Sequence, residues 1–229
     1  MTIELADPVR LSILMPIWNE QDFLSKCLES IQPPEKLLLE VVLMDDGSTD
    51  ATPAIAEQWA ANALFPVQII YSTHRGKAAA LNAAYAQARG TTFIMLAGDD
   101  LLLSELLPSR VAAVMGPEPR LAQCGYLTFW DKSPDRDGVE YSARGSGDHI
   151  AGGAASFNKA FAEIYFPIPE DLPNEDTWLR AVAIATETPI IPVEGIGLLY
   201  RIHTGNSVGP LRTFSETDHN LHQRPQAFN

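Results

Sequence analysis

Apolar residues in the first 115 positions alternate between short unbroken runs and segments where they recur at helical spacing. The unbroken runs predict buried strands at 11–15, 39–44, 67–71 and 92–96. The helical spacing predicts helices at 23–31, 52–63, 77–89 and 104–115. Pro16 is expected to end the first strand, and Asn19 and Thr52 are expected to cap the first two helices. This alternation predicts parallel βαβ units with right-handed crossovers.

The pattern becomes less regular after Pro117. Residues 121–130 predict a long strand, and the polar, glycine-rich segment 131–147 predicts a hairpin or mobile loop. The remaining elements are expected to be helices at 157–164 and 175–187 and strands at 190–191 and 196–202. Residues 209–229 are polar without periodicity, which predicts a tail that is disordered or that orders only with ligand. We expect the two halves to share one sheet in an α/β fold.

Composition narrows the classes of protein to consider. The 229 residues are 46% hydrophobic, enough for the core of one domain, and carry a net charge of −13, which argues against binding to duplex nucleic acid or anionic lipid. No apolar run approaches the roughly 20 residues that span a bilayer, and residues 1–4 lack the pattern of a signal peptide. Cys27 and Cys124 lie in apolar segments and are expected to be buried thiols. The expected location is the cytoplasm, with peripheral contact to the inner face of the membrane left open.

Two predicted strands run directly into paired acids, Asp45-Asp46 and Asp99-Asp100. Open α/β sheets bind ligands at the carboxyl ends of their strands, and clustered carboxylates repel one another unless a cation or donor lies among them. The pairs therefore predict a site for a divalent metal ion and a phosphorylated ligand. Each has an ordinary alternative: the first pair suits a turn, and the second could cap the helix expected from Ser104.

Three further motifs carry possible chemistry. Glu175-Asp176 begins a predicted helix, although the helix dipole alone is a sufficient reason for acids there. Arg201 and His203 would share one strand face, which suits a diphosphate and its metal ion, and Lys77 at a helix start could meet a phosphate. Isolated histidines and lysines are more often structural or solvated. The phosphate-loop, dinucleotide-fingerprint, zinc-protease and serine-elbow motifs do not occur in the sequence.

Taken in chain order, these motifs resemble family 2 of the inverting glycosyltransferases, which have the GT-A fold. The family's P-x-[YW]-N-E is similar to 16–20, its D-D-G-S-x-D to 45–50, and its G-K-x-x-A-L-N to 76–82. The end of its D-x-D-D, its E-D pair and its Y-R-x-H-x-x-N-S ending are similar to 99–100, 175–176 and 200–207. The resemblance covers about residues 11–208, and the order of the motifs makes it specific.

The resemblance implies a single GT-A domain with a Rossmann-like mixed sheet. Residues 11–115 would bind a nucleotide sugar, 116–208 would form a smaller acceptor and catalytic half, and 209–229 would be the tail. The implied reaction moves a sugar, from a UDP-linked donor first of all, to a glycan or lipid-linked acceptor. It would proceed with inversion and with the help of Mn²⁺ or Mg²⁺, as in polysaccharide biosynthesis.

The same resemblance implies roles for individual side chains. Asp176 would be the general base of the Glu175-Asp176 pair, and Asp99 and His203 would lie at the metal ion. The donor nucleotide and its sugar would contact a larger set: Pro16, Asn19, Glu20, Asp45 or Asp46, Lys77, Asp100 and Arg201.

One departure from the family pattern keeps a second function open. Ala97 stands where most members have the first acid of D-x-D, and His74 stands where asparagine is common. The missing carboxylate motivates the alternative of a catalytically inactive module that binds nucleotide sugars or regulates a partner. A nucleotidyltransferase is a weaker alternative, because residues 16–20 are not the glycine-rich basic loop that it would carry after its first strand.

Overall fold

A computed structural model describes residues 10–130, 140–141, 150–172 and 174–203 of the chain. Most of the predicted loop at 131–147, the predicted tail at 209–229 and the motif residues Asn206 and Ser207 lie outside this part.

The described chain alternates strands and helices in its first half and becomes richer in strands in its second. The strands are β1 (Arg10–Ile17), β2 (Leu38–Asp45), β3 (Val67–Tyr71), β4 (Thr92–Met95), β5 (Leu101–Leu102), β6 (Leu121–Trp130), β7 (Glu140–Tyr141), β8 (Ala155–Asn158) and β9 (Ile190–Ile202). The helices are α1 (Leu24–Glu29), α2 (Thr52–Ala60), α3 (Lys77–Gln87), α4 (Leu107–Ala113), α5 (Lys159–Tyr165) and α6 (Glu175–Ala185).

All of the strands belong to one sheet in the order β3-β2-β1-β4-β8-β6-β9-β5, with β7 paired to β6. The first four strands in this order are parallel. β8 runs antiparallel to β4 and β6, and β6 and β9 are parallel. The predicted mixed α/β sheet, shared by both halves of the chain, is confirmed.

The central strands read as unbroken apolar runs because both of their faces are covered. Leu14, Val42 and Met95 point to one face and pack with residues of α3, α5 and α6. Ile13 and Val41 point to the other face and pack with residues of α1, α2 and α4. The layers hold β1, β2 and β4 rigidly, so the loops that follow these strands start from defined positions.

Two predictions about the second half need correction. The predicted helix at 157–164 begins at Lys159, and its first residues belong to β8, which the sequence analysis missed. Asn158 ends the strand and caps the helix, since its side chain accepts a hydrogen bond from the Phe161 N–H. The separate strands predicted at 190–191 and 196–202 form one strand, β9, with an irregularity near Gly195, whose φ is +109°.

The first helix caps were also predicted wrongly. β1 continues through Pro16 to Ile17, and α1 begins at Leu24 without a side-chain cap. Asn19 instead has a φ of +53°, and its Oδ1 accepts from the Thr49 N–H at 2.8 Å. The Thr52 hydroxyl, predicted to cap α2, accepts from the Glu20 N–H at 2.7 Å. These contacts join the segments after β1 and β2, both of which carry predicted site residues.

Candidate active site

The carboxyl ends of β1, β2 and β4 bring three predicted motifs to one edge of the sheet. Ile17 at the end of β1 pairs with Asp45 at the end of β2, and the Asp46 N–H donates to the Ile17 carbonyl at 3.0 Å. β4 lies on the other side of β1 and leads into Asp99-Asp100. Pro16 is buried within β1, two residues before the exposed Trp18.

The first acid pair organises its own surroundings. Asp45 is buried and accepts from the Ser48 N–H at 2.8 Å, as the turn alternative predicts. Asp46 is also buried, and its carboxylate accepts from the N–H groups of Arg75 and Gly76 at 2.8 and 2.7 Å. The Asp46 side chain is therefore committed to the loop before α3.

Trp18 is a site candidate that the sequence analysis did not single out. Its ring stacks on His74 with the ring centroids 4.3 Å apart, and 47% of the residue is exposed. The Nδ1 atom of His74 lies 2.9 Å from Asp46 Oδ2. The aromatic position in the P-x-[YW]-N-E motif was the available signal, because a flat exposed ring at this edge can stack on another ring.

The second acid pair meets the end of β9. His203 Nε2 lies 3.0 Å from Asp99 Oδ2, and Arg201 Nε donates to the Asp99 carbonyl at 2.7 Å. Asp100 Oδ1 accepts from the Arg201 N–H at 2.9 Å. Neither aspartate caps a helix, since the turn at 104–106 and α4 begin without a side-chain cap. The capping alternative is wrong, and the predicted meeting of the two motifs is present.

Arg201 is buried and does not face an open pocket in which it could bind a diphosphate. The residue is only 1% exposed, and its guanidinium lies over the rings of Phe23 and Phe129 at 5.0 and 4.6 Å. It supports the Asp99 segment from within the protein. Burial and the neighbouring Asp99 raise the pKa of Asp100 well above its ordinary value.

Asp99 and His203 supply side-chain atoms that can act as ligands for a divalent metal ion. Carboxylate oxygen and imidazole nitrogen are both ligands for Mn²⁺, and Mg²⁺ prefers oxygen. Across the described ranges, no group of three or more His, Cys, Asp or Glu side chains is arranged to hold a metal ion. These two side chains fit a metal ion whose other coordination positions are filled by substrate phosphate and water, as is usual for Mg²⁺.

The start of α6 faces the start of α3. α6 begins at Glu175, after Asn174, whose side chain accepts from the Thr177 N–H at 2.9 Å. Lys77 Nζ lies 2.5 Å from Glu175 Oε1, with half of the lysine side chain exposed and the glutamate buried. Burial opposes charge on both groups, but their mutual attraction outweighs it, lowering the pKa of Glu175 and raising that of Lys77.

Asp176 has the electrostatics of a general base. Burial and the adjacent Glu175 carboxylate raise its pKa to about 7, although Lys77 and the Gly152 N–H act in the opposite direction. The Gly152 N–H donates to Asp176 Oδ1 at 2.8 Å. A carboxylate with a pKa near 7 is an effective base at neutral pH.

Glu20 is a second acid with a displaced pKa. Burial and Asp99 raise the pKa of Glu20 to about 8, while Lys77 acts against the shift. The neighbouring Gly98 leaves little room for a side chain, because a Cβ atom there would lie 3.2 Å from Glu20 Cγ. The segments after β1 and β4 therefore approach each other closely.

Comparison with known sequences identifies the family. Residues 12–142, more than half of the chain, match the glycosyl transferase family 2. The chain belongs to this family. A curated relative is the undecaprenyl-phosphate 4-deoxy-4-formamido-L-arabinose transferase of Pseudomonas fluorescens, 35% identical over 106 residues, or 44% of this chain and 31% of the relative. The match spans only 33–37% of the length of the first curated relatives.

Solved structures of other proteins have a similar fold. The mannosyltransferase PcManGT from Pyrobaculum calidifontis, in complex with GDP-Man and Mn²⁺, superposes with a TM-score of 0.68 at 22% identity, covering 86% of this chain and 58% of that one. S. aureus TarS in complex with UDP-GlcNAc gives a TM-score of 0.68 at 19% identity, covering 93% and 64%. These similarities show the GT-A fold. Among the described residues, no helix is long and apolar enough to cross a membrane.

Proposed function

We propose that this family 2 domain transfers a sugar, with inversion, from a nucleoside diphosphate sugar to an acceptor hydroxyl. The observation that carries the proposal is Asp176, a partly buried carboxylate with a pKa of about 7 at the start of α6. The neighbouring Glu175 forms an ion pair with Lys77 at the start of α3, which connects Asp176 to the part of the site proposed to bind the nucleotide sugar. Asp176 would remove the acceptor proton as the hydroxyl attacks the anomeric carbon.

The nucleoside end of the donor would lie at the ends of β1 and β2. Trp18 supplies an exposed ring, while Asp45 and Asn19 supply polar groups beside it. Asp46 would act indirectly, because its oxygens hold the loop that carries His74. The stacked rings of Trp18 and His74 favour a planar base as the group recognised here.

The diphosphate and sugar would lie towards the segment after β4. Asp99 and His203 would hold a divalent cation, which when bound would neutralise charge on the departing diphosphate. Lys77 would add a positive charge near the phosphates, and Glu20 and Asp100 would face the sugar. Arg201 would hold the Asp99 segment in place through its contact with the Asp99 carbonyl.

The relatives guide the choice of substrates. The solved structures were determined with UDP-GlcNAc and GDP-Man, and we propose a UDP-linked donor first, with GDP-linked sugars as the comparison. The name of the curated relative includes undecaprenyl phosphate, which favours a glycan or lipid-linked acceptor at a membrane surface. We propose that 11–115 binds the donor and 116–208 the acceptor within one domain.

The test begins with donor binding and then removes the base. UDP- and GDP-sugars are screened with Mn²⁺ by thermal shift, because binding stabilises the folded state, and release of nucleoside diphosphate measures turnover. Asp176→Asn should lower kcat by at least about 100-fold while donor affinity is kept. The same change at the exposed Asp171 is the control. Unchanged turnover in Asp176→Asn would overturn the assignment.

Ala97 favours a second candidate, a module that binds nucleotide sugars without transferring them. Its carbonyl accepts from the Cys27 thiol at 3.3 Å, and its side chain brings no carboxylate to the edge. This candidate predicts donor binding without hydrolysis or transfer. Measurable transfer by the unmodified chain rejects it.

A further inference from the structure

Arg110 on α4 is fully buried, yet part of its guanidinium group has no hydrogen-bond partner. Its Nη2 donates to the carbonyls of Gly153 and Ala155 at 2.9 and 2.7 Å, whereas Nε and Nη1 are unpaired. Burial lowers the pKa of this arginine, and no ion pair between described residues includes it. A buried charge without an acid costs stability. Packing alone therefore does not explain a buried arginine at this position.

The contacts of Arg110 hold a tight turn at residues 152–154. The Cys124 thiol donates to the Ala154 carbonyl at 3.3 Å, so three successive carbonyls, those of residues 153–155, are bound by buried side chains. The N–H groups of Ala154 and Ala155 both donate to the Ala151 carbonyl, at 2.9 and 3.0 Å. The position of the Ala151 carbonyl is thereby set from within the core.

The opposite side of the same peptide faces Asp176. In a trans peptide the N–H points away from the preceding carbonyl, so the Ala151 carbonyl directs the Gly152 N–H towards the site. This N–H donates to Asp176 Oδ1 at 2.8 Å. A Cβ atom at Gly152 would lie 2.6 Å from the same oxygen. The backbone of the turn therefore contacts the acid directly, with no space for a side chain between them.

We propose that Arg110 is a positioning residue for sugar transfer, holding the turn at 152–154 so that the Gly152 N–H stays directed at Asp176 Oδ1. The inference rests on the proposed role of Asp176 as the base. Arg110 acts through the turn, from the layer of the protein behind the sheet, and does not touch the substrate.

The charges around Asp176 determine what should change when the turn is released. Glu175 on α6, Lys77 on α3, Tyr165 on α5 and Tyr200 on β9 are its titratable neighbours. Arg110 variants alter none of these groups. The Gly152 N–H stabilises the charged form of Asp176, so its loss should raise the pKa of Asp176 further above about 7.

The test measures this pKa without substrate. The free energy of unfolding is followed against pH for each background with and without Asp176→Asn. The quantity compared is the free energy of unfolding of the protein with Asp176 minus that of its Asp176→Asn form. Because the folded pKa of Asp176 exceeds the ordinary 3.8, this quantity should fall as the pH rises from about 4 and level off near 7. Arg110→Met should raise the pH at which the curve levels off by about half a pH unit or more. Arg110→Lys, which keeps a donor, should raise it less. Val111→Ala, which removes buried volume from the same helix, should leave it in place.

The outcomes separate this inference from the proposed function. An Arg110→Met protein that unfolds cooperatively with an unmoved levelling point overturns the positioning role. If that variant does not fold, Arg110→Gln, which keeps a neutral donor, is judged by the same criterion. Turnover that survives Asp176→Asn rejects the base while leaving the titration result standing. In the active enzyme, Arg110→Met should lower kcat and leave the donor KM unchanged.

Discussion

Acids near the two ends of the parallel strands differ in the direction of their pKa shifts, as Glu40 at one end and Glu20 and Asp176 at the other show. Near the amino end, burial pushes the pKa of Glu40 upward, but hydrogen bonds from Ser12 and Arg89 outweigh it and leave the pKa below its ordinary value. At the carboxyl end, burial prevails for Glu20 and Asp176, whose pKa values rise to about 8 and about 7, whereas Lys77 keeps the pKa of Glu175 low.

Hydrogen-bond donors and neighbouring charges distinguish Glu40 from Asp176. Glu40 accepts from the Ser12 hydroxyl at 2.6 Å and from the Arg89 N–H and Nε at 2.5 and 2.9 Å. Asp176 accepts from the single N–H of Gly152 and lies beside the Glu175 carboxylate. A fully paired acid stabilises the fold, whereas an acid with few donors keeps affinity for a proton.

The largest expected effect that sharpens this comparison is the pH dependence of turnover. If Asp176 is the base, kcat/KM should fall with pH below 7, approaching tenfold per pH unit, or about 50-fold in all between pH 7 and 5. The limb reports deprotonation of the free enzyme, so the activity increases with pH. Release of nucleoside diphosphate measures it, with Asp171→Asn as the control. A limb near pH 4 would contradict the proposed pKa.

The next largest effect concerns Glu40, near the amino end of the parallel strands. Glu40→Gln should reduce the free energy of unfolding by about 1–3 kcal/mol at pH 7, because an amide NH₂ would face the donors of Ser12 or Arg89. The contribution of Glu40 should be present above its ordinary pKa of 4.5 and disappear as the pH falls through its lower folded value. Urea denaturation measures the loss. Glu29→Gln at an exposed site is the control, and an equal loss there would remove the contrast.

The smallest effect has the opposite sign. Asp176→Asn should stabilise the protein by about 1–2 kcal/mol at pH 8, since each unit of raised pKa corresponds to about 1.4 kcal/mol, partly offset by the new amide. At pH 4, where the aspartate is protonated in the folded state, the gain should vanish. Thermal unfolding at both pH values measures it. A destabilised variant at pH 8 would mean that the acid is better paired than its contacts indicate.

Much of the fold was predictable because its central strands are covered on both faces. Continuous apolar runs around Ile13 and Val41 admit few other interpretations, and the acids that follow them mark the strand ends. β8 was missed because its four residues merge with the helix that begins at Lys159. Asn19 was assigned to a helix cap because local sequence does not reveal that the Thr49 N–H will lie beside it.

The candidate site was less predictable where it depends on long-range partners. The sequence places Lys77 and Glu175 at helix starts, but only the folded sheet brings their charges to 2.5 Å. Arg110 gave no signal, because an arginine in a short helix ordinarily faces solvent. Burial of Asp176 likewise depends on the turn at 152–154, which no periodicity marks.

The position of β9 in the sheet has a consequence for the timing of synthesis. β5 pairs with β9, so residues 101–102 wait for a strand that is translated about ninety residues later. At about 5–20 residues per second, this delay is roughly 5–18 s. Asp176 and His203 are also translated after residues 101–102. A nascent chain on the ribosome can thus pair its first strands before β5 gains its partner and before these two side chains are present.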